Sequence, residues 1–356
     1  MIADLFAWFA TFVLIESKMR GLFSMLFGAS MLLVIDRAVA RGEPALRTHL
    51  TRMAVLFVIG LMHLYLIWYG DILAHYAIVG AIAYLFTGLS SRLLLLLGGA
   101  MVVIDACMTA PLAASLYGVT AHDPALAAEI AKVFGAAPRA DLLAEVAANR
   151  TSFATATAWR IAHAESPLMT LMQVGVQTLG AMLFGMAAYR SGFLTGRWSR
   201  RAYTIVAVAT LPVTWVLHAL IARHSIAVGF DYRWNFTASI VLVPILRPLT
   251  MAGYIALALL AFREGGWWSG RVAAVGRAAF TNYLGTSVLM LGVFTGLHLF
   301  GQLARAQLYW LALLAWSIML LWSKPWLDRF AYGPMEWVWR SAARGRPQPF
   351  RNASPR

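Results

Sequence analysis

The sequence predicts an all-α fold, a polytopic helical membrane protein, and three observations support this. Of the 356 residues, 61% are hydrophobic and only 12% are charged, which is roughly half the charged fraction of a soluble domain. Long apolar runs recur along the chain, and short basic segments separate them. Many of the 14 Trp and 12 Tyr side chains stand near the ends of these runs, as is typical of a membrane interface.

The apolar runs predict about nine transmembrane helices after an N-terminal segment of a different kind. Residues 2–15 are apolar but too short to span comfortably, and Glu16, Lys18 and Arg20 end the run. We interpret this run as an interfacial or re-entrant helix, with a tilted span as the alternative. The predicted spans, some short enough to require tilt or local thinning, are 21–36, 51–69, 73–88, 93–114, 168–189, 202–221, 237–262, 279–299 and 307–323.

The distribution of Lys and Arg predicts the orientation of the chain. With a cytoplasmic C-terminus, about twice as many of these cations lie inside as outside, which favours an external N-terminus. The net charge of +14 does not indicate nucleic acid, because the cations cluster in short loops and in the tail. The basic tail after Phe330 is expected to lie on anionic lipid headgroups. The single cysteine, Cys107, excludes an internal disulfide.

The longest predicted loop, 115–167, is expected outside the membrane. Two amphipathic stretches in it, 125–134 and 141–159, predict a small helical cap that could cover a site. A solvated surface excursion is the alternative. We expect residues 1–356 to form a single membrane domain, with 263–356 as a C-terminal region that ends in the basic cytoplasmic tail.

The segment from Arg52 to Tyr76 predicts one wall of a polar cavity. On helical spacing Gly60, His63, Ile67 and Gly70 share a face, and glycines there allow close approach. His63 could act as a general base, because histidine exchanges protons near neutral pH, or it could be a structural histidine bonded between helices. Asp71 and His75 lie nearby, but these three residues lack a recognisable metal-ligand spacing, so no metal site is expected.

Ionisable residues inside predicted spans are costly and therefore indicate function; they are His63, Asp105, His218 and Arg247. Arg247 stands between Pro244 and Pro248, and a broken helix with a cation is typical of an anion site or substrate pathway. The alternative is that Arg247 pairs with Asp105 and pins two helices together. His218 is interpreted as structural.

Basic clusters flank the span 21–36, with Arg20 on the outer side and several arginines on the inner side. The inner group, which includes Arg52, could hold phosphates together with Arg277. Topology and lipid headgroups are the alternative, which spacing alone favours. Neither a phosphate-binding Gly-rich loop nor a serine nucleophile elbow occurs.

The C-terminal region contains a second dense patch. Thr281, Asn282 and Tyr283 are polar groups at the mouth of a span, and Glu336 lies in a stretch that predicts an interfacial amphipathic helix. The distinctive segments are GRAAFTNYL (276–284), GQLARAQ (301–307) and YGPMEWVWR (332–340).

These segments resemble the C-terminal domain of the YeiB family of bacterial inner-membrane proteins, also described as domain of unknown function 418. KMRGLFSMLFGAS (18–30) and RMAVLFVIGLMHLYLIWYGDILAHYAIVG (52–80) resemble its N-terminal half. The family is grouped by fold with integral-membrane acyltransferases, which move acyl groups from cytoplasmic donors to extracytoplasmic acceptors. The resemblance implies about ten helices around a central cavity in a bacterial inner membrane.

Two departures from the family pattern affect this expectation. Family members usually begin with an additional span that carries an Arg-Gly pair, so either the start of this chain is truncated or misassigned, or this member does without that span. In the related acyltransferases an arginine pair stands where an inner loop enters a span. Here the corresponding place reads His49-Leu50-Thr51-Arg52, so only Arg52 matches.

Two functions are therefore considered. In an acyltransferase-like enzyme, Arg52 and Arg277 would hold the phosphates of an acyl-CoA-like donor, and His63 would be the base. Asp71 would orient His63, and Asn282 and Tyr283 would bind a substrate; the acceptor would be a small molecule, lipid or glycan. In a transporter or permease, Arg247 would be the counter-ion of an anionic solute in the broken helix. Arg20 and Asp105 are further candidate substrate-binding residues.

Overall fold

A computed structural model of the chain describes residues 2–134 and 138–352. Parts of the predicted outer loop (135–137) and of the basic tail (353–356) lie outside the described residues. The described chain is α-helical and forms no β-strand. In chain order its helices are α1 Ile2–Leu14, α2 Lys18–Ala40, α3 Ala45–Leu66, α4 Leu73–Ala83, α5 Ser91–His122, α6 Pro124–Phe134, α7 Arg139–Thr151, α8 Phe153–His163, α9 Pro167–Arg190, α10 Arg200–Ala227, α11 Tyr232–Thr237, α12 Val243–Ala261, α13 Trp267–Arg277, α14 Ala279–Leu291, α15 Arg305–Arg329 and α16 Pro334–Arg344.

The predicted fold class, a polytopic helical membrane protein, is confirmed. Within the described residues, seven helices are long and apolar enough to cross a membrane, or eight if a bent pair counts as one span. The bent pair is α13 with Ala279–Gly296, at an angle of 78°. Leu73–Phe86 is a shorter apolar helix. The count of nine spans therefore stays a prediction.

The N-terminal run forms α1, and the apolar stretch continues beyond it into α2. Ile2–Ala40 together make one apolar stretch of 39 residues, interrupted where Ser17 adopts a left-handed φ of 68°. A non-glycine residue in that region is uncommon and marks a strained turn. The interfacial or re-entrant interpretation of residues 2–15 stays a prediction.

Two sequence-based boundaries are wrong. Helix α3 ends at Leu66 because the amides of Ile67 and Trp68 both donate to the His63 carbonyl, so Ile67 and Gly70 leave the predicted helical face. The amphipathic stretch 141–159 is two helices, α7 and α8, because Ser152 caps α8 through a reciprocal pair of hydrogen bonds with Thr155. Ser and Thr favour such caps since their hydroxyls satisfy free amides.

The contacts cluster into two compact units, and the expectation of a single membrane domain stays a prediction. The first unit comprises Met1–Val34, Ile82–Leu143 and Thr170–Ala261. In it α2 and α9 approach closely at two glycines: a β-carbon on Gly28 would lie 2.2 Å from the Met182 carbonyl oxygen, and one on Gly185 would lie 1.8 Å from that of Met25. Small residues permit such backbone contact between membrane helices.

The second unit comprises Ile35–Ala81, Ala144–Met169 and Phe262–Arg356. Here α3 packs against the start of α4, because a β-carbon on Gly60 would lie only 2.3 Å from the Ala74 amide nitrogen. Helix α16 packs on α3, and α13 packs on α15. Glu336, which the sequence placed on an interfacial helix, is buried in this unit and accepts hydrogen bonds from the Phe280 and Thr281 amides at the start of α14.

Candidate functional site

The second unit buries a histidine–aspartate pair between α3 and α4. His63 Nδ1 lies 2.8 Å from Asp71 Oδ1, and the two side chains are 1% and 0% exposed. The other carboxylate oxygen, Oδ2, accepts hydrogen bonds from the Leu73 and Ala74 amides at 2.8 and 3.1 Å. Asp71 therefore orients the imidazole and also caps the first turn of α4.

The hydrogen bonding of Asp71 assigns the tautomer of His63. A carboxylate only accepts, so Nδ1 carries a hydrogen, and in the neutral imidazole Nε2 presents a lone pair. That Nε2 atom is buried and has no hydrogen-bond partner among the described residues. An imidazole bonded at Nδ1 to a carboxylate, with no hydrogen bond at Nε2, resembles the arrangement of a general base.

Gly60 explains how two neighbouring helices bring this pair together. It lies one helical turn before His63 on α3, and it contacts the backbone of Leu73 and Ala74, the turn that Asp71 caps. The short connection between α3 and α4 then places Asp71 against His63. The expected close approach at Gly60 is thus present, although Gly70 instead faces the Trp68 ring.

A pocket of about 560 Å³ adjoins the pair through two aromatic side chains. Tyr283 and Trp68 line this pocket, and their rings lie 5.3 and 6.3 Å from the His63 ring, centre to centre. The Tyr283 hydroxyl donates a long hydrogen bond of 3.4 Å to Asp71 Oδ1. We call this cavity the apolar pocket because Met290, Leu291, Phe294 and Met319 form much of its wall.

Arg160 of α8 is a cationic residue of the apolar pocket that the sequence analysis missed. Its Nη2 donates to the Leu66 carbonyl and to Thr157 Oγ1, each at 2.9 Å. The residue is 3% exposed, and this burial lowers the pKa of its guanidinium. A lone arginine in an amphipathic loop carries no local signal of burial, so only the tertiary fold reveals it.

Asn282 contributes to packing in this unit. Its Nδ2 donates to the Val275 carbonyl and to Ser323 Oγ, and its Oδ1 accepts from Trp322 Nε1 at 2.9 Å. The side-chain amide thus joins α13, α14 and α15. Its role as a substrate ligand stays a prediction.

The start of α3 forms a second, basic pocket in the same unit. It has a volume of about 690 Å³, and Arg47, Arg344 and Arg346 line it together with Glu43. Arg52 is not among the residues that line it, and its guanidinium lies 4.2 Å from the centre of the Trp339 ring. Arg277 is exposed at the end of α13. The sequence analysis treated Arg344 and Arg346 only as tail charges, because the approach of α16 to α3 has no local sequence signal.

The first unit contains the other predicted group, centred on Arg247. Its guanidinium donates to Ser17 Oγ from Nε at 3.0 Å and from Nη2 at 2.6 Å, and its Nη1 donates to Gln177 Oε1 at 2.9 Å. Arg20 donates to the same Gln177 oxygen at 3.4 Å. Arg247 thus holds the strained turn at Ser17, and a π-helical stretch at Ala238–Leu242 precedes its helix.

Asp105 lies in the same cluster and interacts with Gln177. Asp105, Gln177 and Arg247 line a cavity of about 20 Å³, which is roughly the size of one water molecule. Lys18, 1% exposed, donates to the Phe12 carbonyl at the end of α1, and His218 is bonded through Nδ1 to the Thr214 carbonyl at 2.6 Å. The structure therefore brings Arg20, Asp105 and Arg247 together, with Ser17 and Gln177 as links that the sequence analysis missed.

Fold and sites define the class as a polytopic α-helical membrane protein that buries a His–Asp pair beside an apolar pocket. Residues 188–346 match the family described as "Protein of unknown function (DUF418)". The chain is 28% identical over 357 residues to "Uncharacterized protein YeiB" of Escherichia coli strain K12, covering 95% of this chain and 84% of the relative. The resemblance to the YeiB family is thereby confirmed.

Two Bacillus proteins are similar over comparable lengths. The chain is 25% identical to "Uncharacterized protein YxaH" of Bacillus subtilis over 348 residues, which cover 92% of this chain and 79% of the relative. It is also 25% identical to the "Uncharacterized 39.9 kDa protein in amylase 3'region" of Bacillus acidopullulyticus over 330 residues, 92% of this chain and 80% of that one. No solved structure matches the chain significantly.

Proposed function

We propose that this protein is an acyltransferase-like enzyme of the bacterial inner membrane that moves an acyl group from a cytoplasmic donor to an extracytoplasmic acceptor. The observation that carries the proposal is the buried His63–Asp71 pair, in which the Nε2 atom has no hydrogen-bond partner among the described residues. A buried cation–anion pair alone would serve packing equally well, but an imidazole polarised at one nitrogen and open at the other is suited to proton transfer.

The proposed reaction assigns each proton. His63 Nε2 removes the proton from an acceptor hydroxyl as the oxygen attacks the carbonyl carbon of an acyl thioester. A C–O bond forms, the C–S bond breaks, and the thiolate takes the proton back from His63. Asp71 stays ionised and stabilises the imidazolium. The Tyr283 side chain bonds Asp71 through its hydroxyl and also lines the apolar pocket, so it links the pair to a substrate bound there.

The basic pocket is the proposed anchor for the donor phosphates. Its arginines supply forked donors that match phosphate geometry. Along α3 it extends from Arg47 to Val55, and at a rise of about 1.5 Å per residue Val55 stands roughly 12 Å from His63. A flexible pantetheine arm is suited to such a reach. Arg52, stacked on Trp339, adds a positive charge on the same helix.

Transfer from a panel of acyl-CoA donors, with the protein in lipid nanodiscs, tests the proposal. We expect acyl-CoA to raise the melting temperature of the wild type, and His63→Ala to abolish transfer while the protein stays folded. His122→Ala changes an exposed histidine and serves as the matched control. Full activity of His63→Ala would exclude the proposed role.

A second candidate function, transport of an anionic solute, is favoured by the Arg247 cluster. A buried cation beside a π-helical break and a strained turn is a common arrangement in transporters. Proteoliposome uptake would then fail in Arg247→Ala and persist in His63→Ala. Under the enzyme proposal, acyl transfer would instead fail in His63→Ala and persist in Arg247→Ala.

A further inference from the structure

The apolar pocket is lined mainly by apolar side chains and contains one buried cation, Arg160. Arg160 lines it beside Ile67 and Trp68, and Met290, Leu291 and Phe294 lie among its apolar residues. A volume of about 560 Å³ falls within the range of small-molecule sites. Purely apolar packing would not require a guanidinium at such a place, because burying a charge is costly without a partner.

The hydrogen bonds of Arg160 are incomplete. Its Nη2 atom is bonded to the Leu66 carbonyl and to Thr157, but its buried Nε has no partner among the described residues. No carboxylate of the described chain forms an ion pair with it. The acid of this region, Glu145, instead lies 3.4 Å from the Tyr69 hydroxyl. An unpaired buried cation is strongly stabilised by an incoming anion.

We propose that the apolar pocket binds an amphiphile whose carboxylate or phosphate pairs with Arg160 and whose hydrocarbon chain lies along Met290, Leu291 and Phe294. The chemistry shared by a free fatty acid and an anionic phospholipid is an acidic head on an acyl chain. As an identification of the acceptor or acyl product, this inference rests on the proposed function; as a binding site, it does not.

Tryptophan quenching reports occupancy directly, because Trp68 lines the apolar pocket. The protein is placed in nanodiscs of phosphatidylcholine and titrated with ω-brominated dodecanoate or with the matched brominated alcohol. The chain has 14 Trp, so the quenching that is lost in the Trp68→Phe variant is taken as the signal from the pocket. We expect the carboxylate to bind at least about 10-fold more tightly than the alcohol, as a charge-assisted hydrogen bond implies. Each methylene added within the pocket should raise affinity about fourfold.

Arg160→Gln should reduce dodecanoate affinity about 10-fold and leave the alcohol unchanged, and Arg160→Lys should lie between. Arg305→Gln, at an exposed arginine of the same unit, is the matched control. Leu291→Trp fills the pocket and should block both ligands, which keeps the test informative if Arg160→Gln misfolds. Brominated phosphatidylglycerol replaces the fatty acid in a parallel series, and Trp68-specific quenching by only one of the two identifies the source.

Equal affinity of acid and alcohol, or dodecanoate affinity unchanged in Arg160→Gln, overturns the inference. Quenching by neither amphiphile overturns it as well. Binding is measured without turnover and should survive in His63→Ala, so failure of the pocket and failure of the transferase are separate results.

Discussion

At the scale of single residues, Asp71 divides its two oxygens between two tasks. Oδ1 holds the His63 imidazole, and Oδ2 receives the Leu73 and Ala74 amides. The capping bonds fix the carboxylate on rigid backbone, so the histidine it orients is fixed too.

Asp71→Asn separates these tasks. The amide oxygen still accepts from the α4 amides, so stability should fall by about 1 kcal/mol or less. The amide nitrogen cannot accept the Nδ1 hydrogen, so His63 adopts the wrong tautomer and acyl transfer should fall by at least about 100-fold. Thermal unfolding and the transfer rate measure the two effects. A folded Asp71→Asn protein with wild-type transfer would contradict the assigned role.

At this scale the sequence was more informative about which residues are candidates for the site than about their hydrogen-bond partners. His63 and Asp71 are close in the chain, so their nearness in sequence brought them into one hypothesis. Arg160 and Gln177 contact groups far away in sequence, the Leu66 carbonyl and Arg247. Polar residues at such distances have no pattern in a single sequence, because only tertiary packing brings them together.

At the scale of elements, Glu336 holds the second unit at the bend between α13 and α14. Its Oε1 accepts from the Phe280 and Thr281 amides at 2.7 and 3.1 Å, and its Oε2 accepts from Thr281 Oγ1 at 2.5 Å. Gly333 allows this approach, because a β-carbon there would lie 2.2 Å from Glu336 Oε2. The GPME stretch is thus a cap supplied by α16 to another helix.

Glu336→Ala should destabilise the protein by about 2–4 kcal/mol, because two amides and a hydroxyl lose a charged acceptor in a buried place. Glu336→Gln keeps an acceptor for the amides and should cost about 1 kcal/mol. Thermal unfolding in one detergent ranks the variants, with Glu264→Ala, at an exposed glutamate, as the control. Equal melting temperatures for Glu336→Ala and the control would show that the cap contributes little.

Long apolar runs located the helices well, since hydrophobicity alone selects residues that can cross a bilayer. Their ends were less predictable. Helix α5 continues to His122 through Pro111, well beyond the predicted 93–114, because polar residues outside the apolar run can extend a helix into water. The loop 115–167 contains helices α6, α7 and α8, while its role as a cap stays a prediction and the break at Ser152 depends on local hydrogen bonds.

At the scale of the whole molecule, the ionisable groups that the sequence singled out as candidate site residues fall into two units. Arg20, Asp105 and Arg247 belong to the first, and Arg52, His63 and Asp71 belong to the second. The sequence indicated function for all of these residues for the same reason, because a charged side chain is costly in an apolar interior. The membership of a charge in one cluster or another depends on packing that a hydropathy pattern does not encode.

The predicted orientation has a direct test. Two single-cysteine variants are made in a Cys107→Ser background. Ala147→Cys lies on α7, Pro349→Cys lies on the basic tail, and both positions are exposed. A membrane-impermeant maleimide added to intact spheroplasts should label only Ala147→Cys, because the excess of Lys and Arg keeps the tail inside. Both should react after permeabilisation. Labelling of Pro349→Cys in sealed spheroplasts would reverse the assignment.

Because Asp71 both caps α4 and orients His63, the local stability of α4 and the orientation of the imidazole are coupled. Whatever frays the opening turn of α4, such as heat, a helix-breaking substitution or a poorly matched bilayer, also releases the carboxylate that aligns the imidazole. Loss of local order at this turn and loss of the proposed proton transfer should therefore set in together.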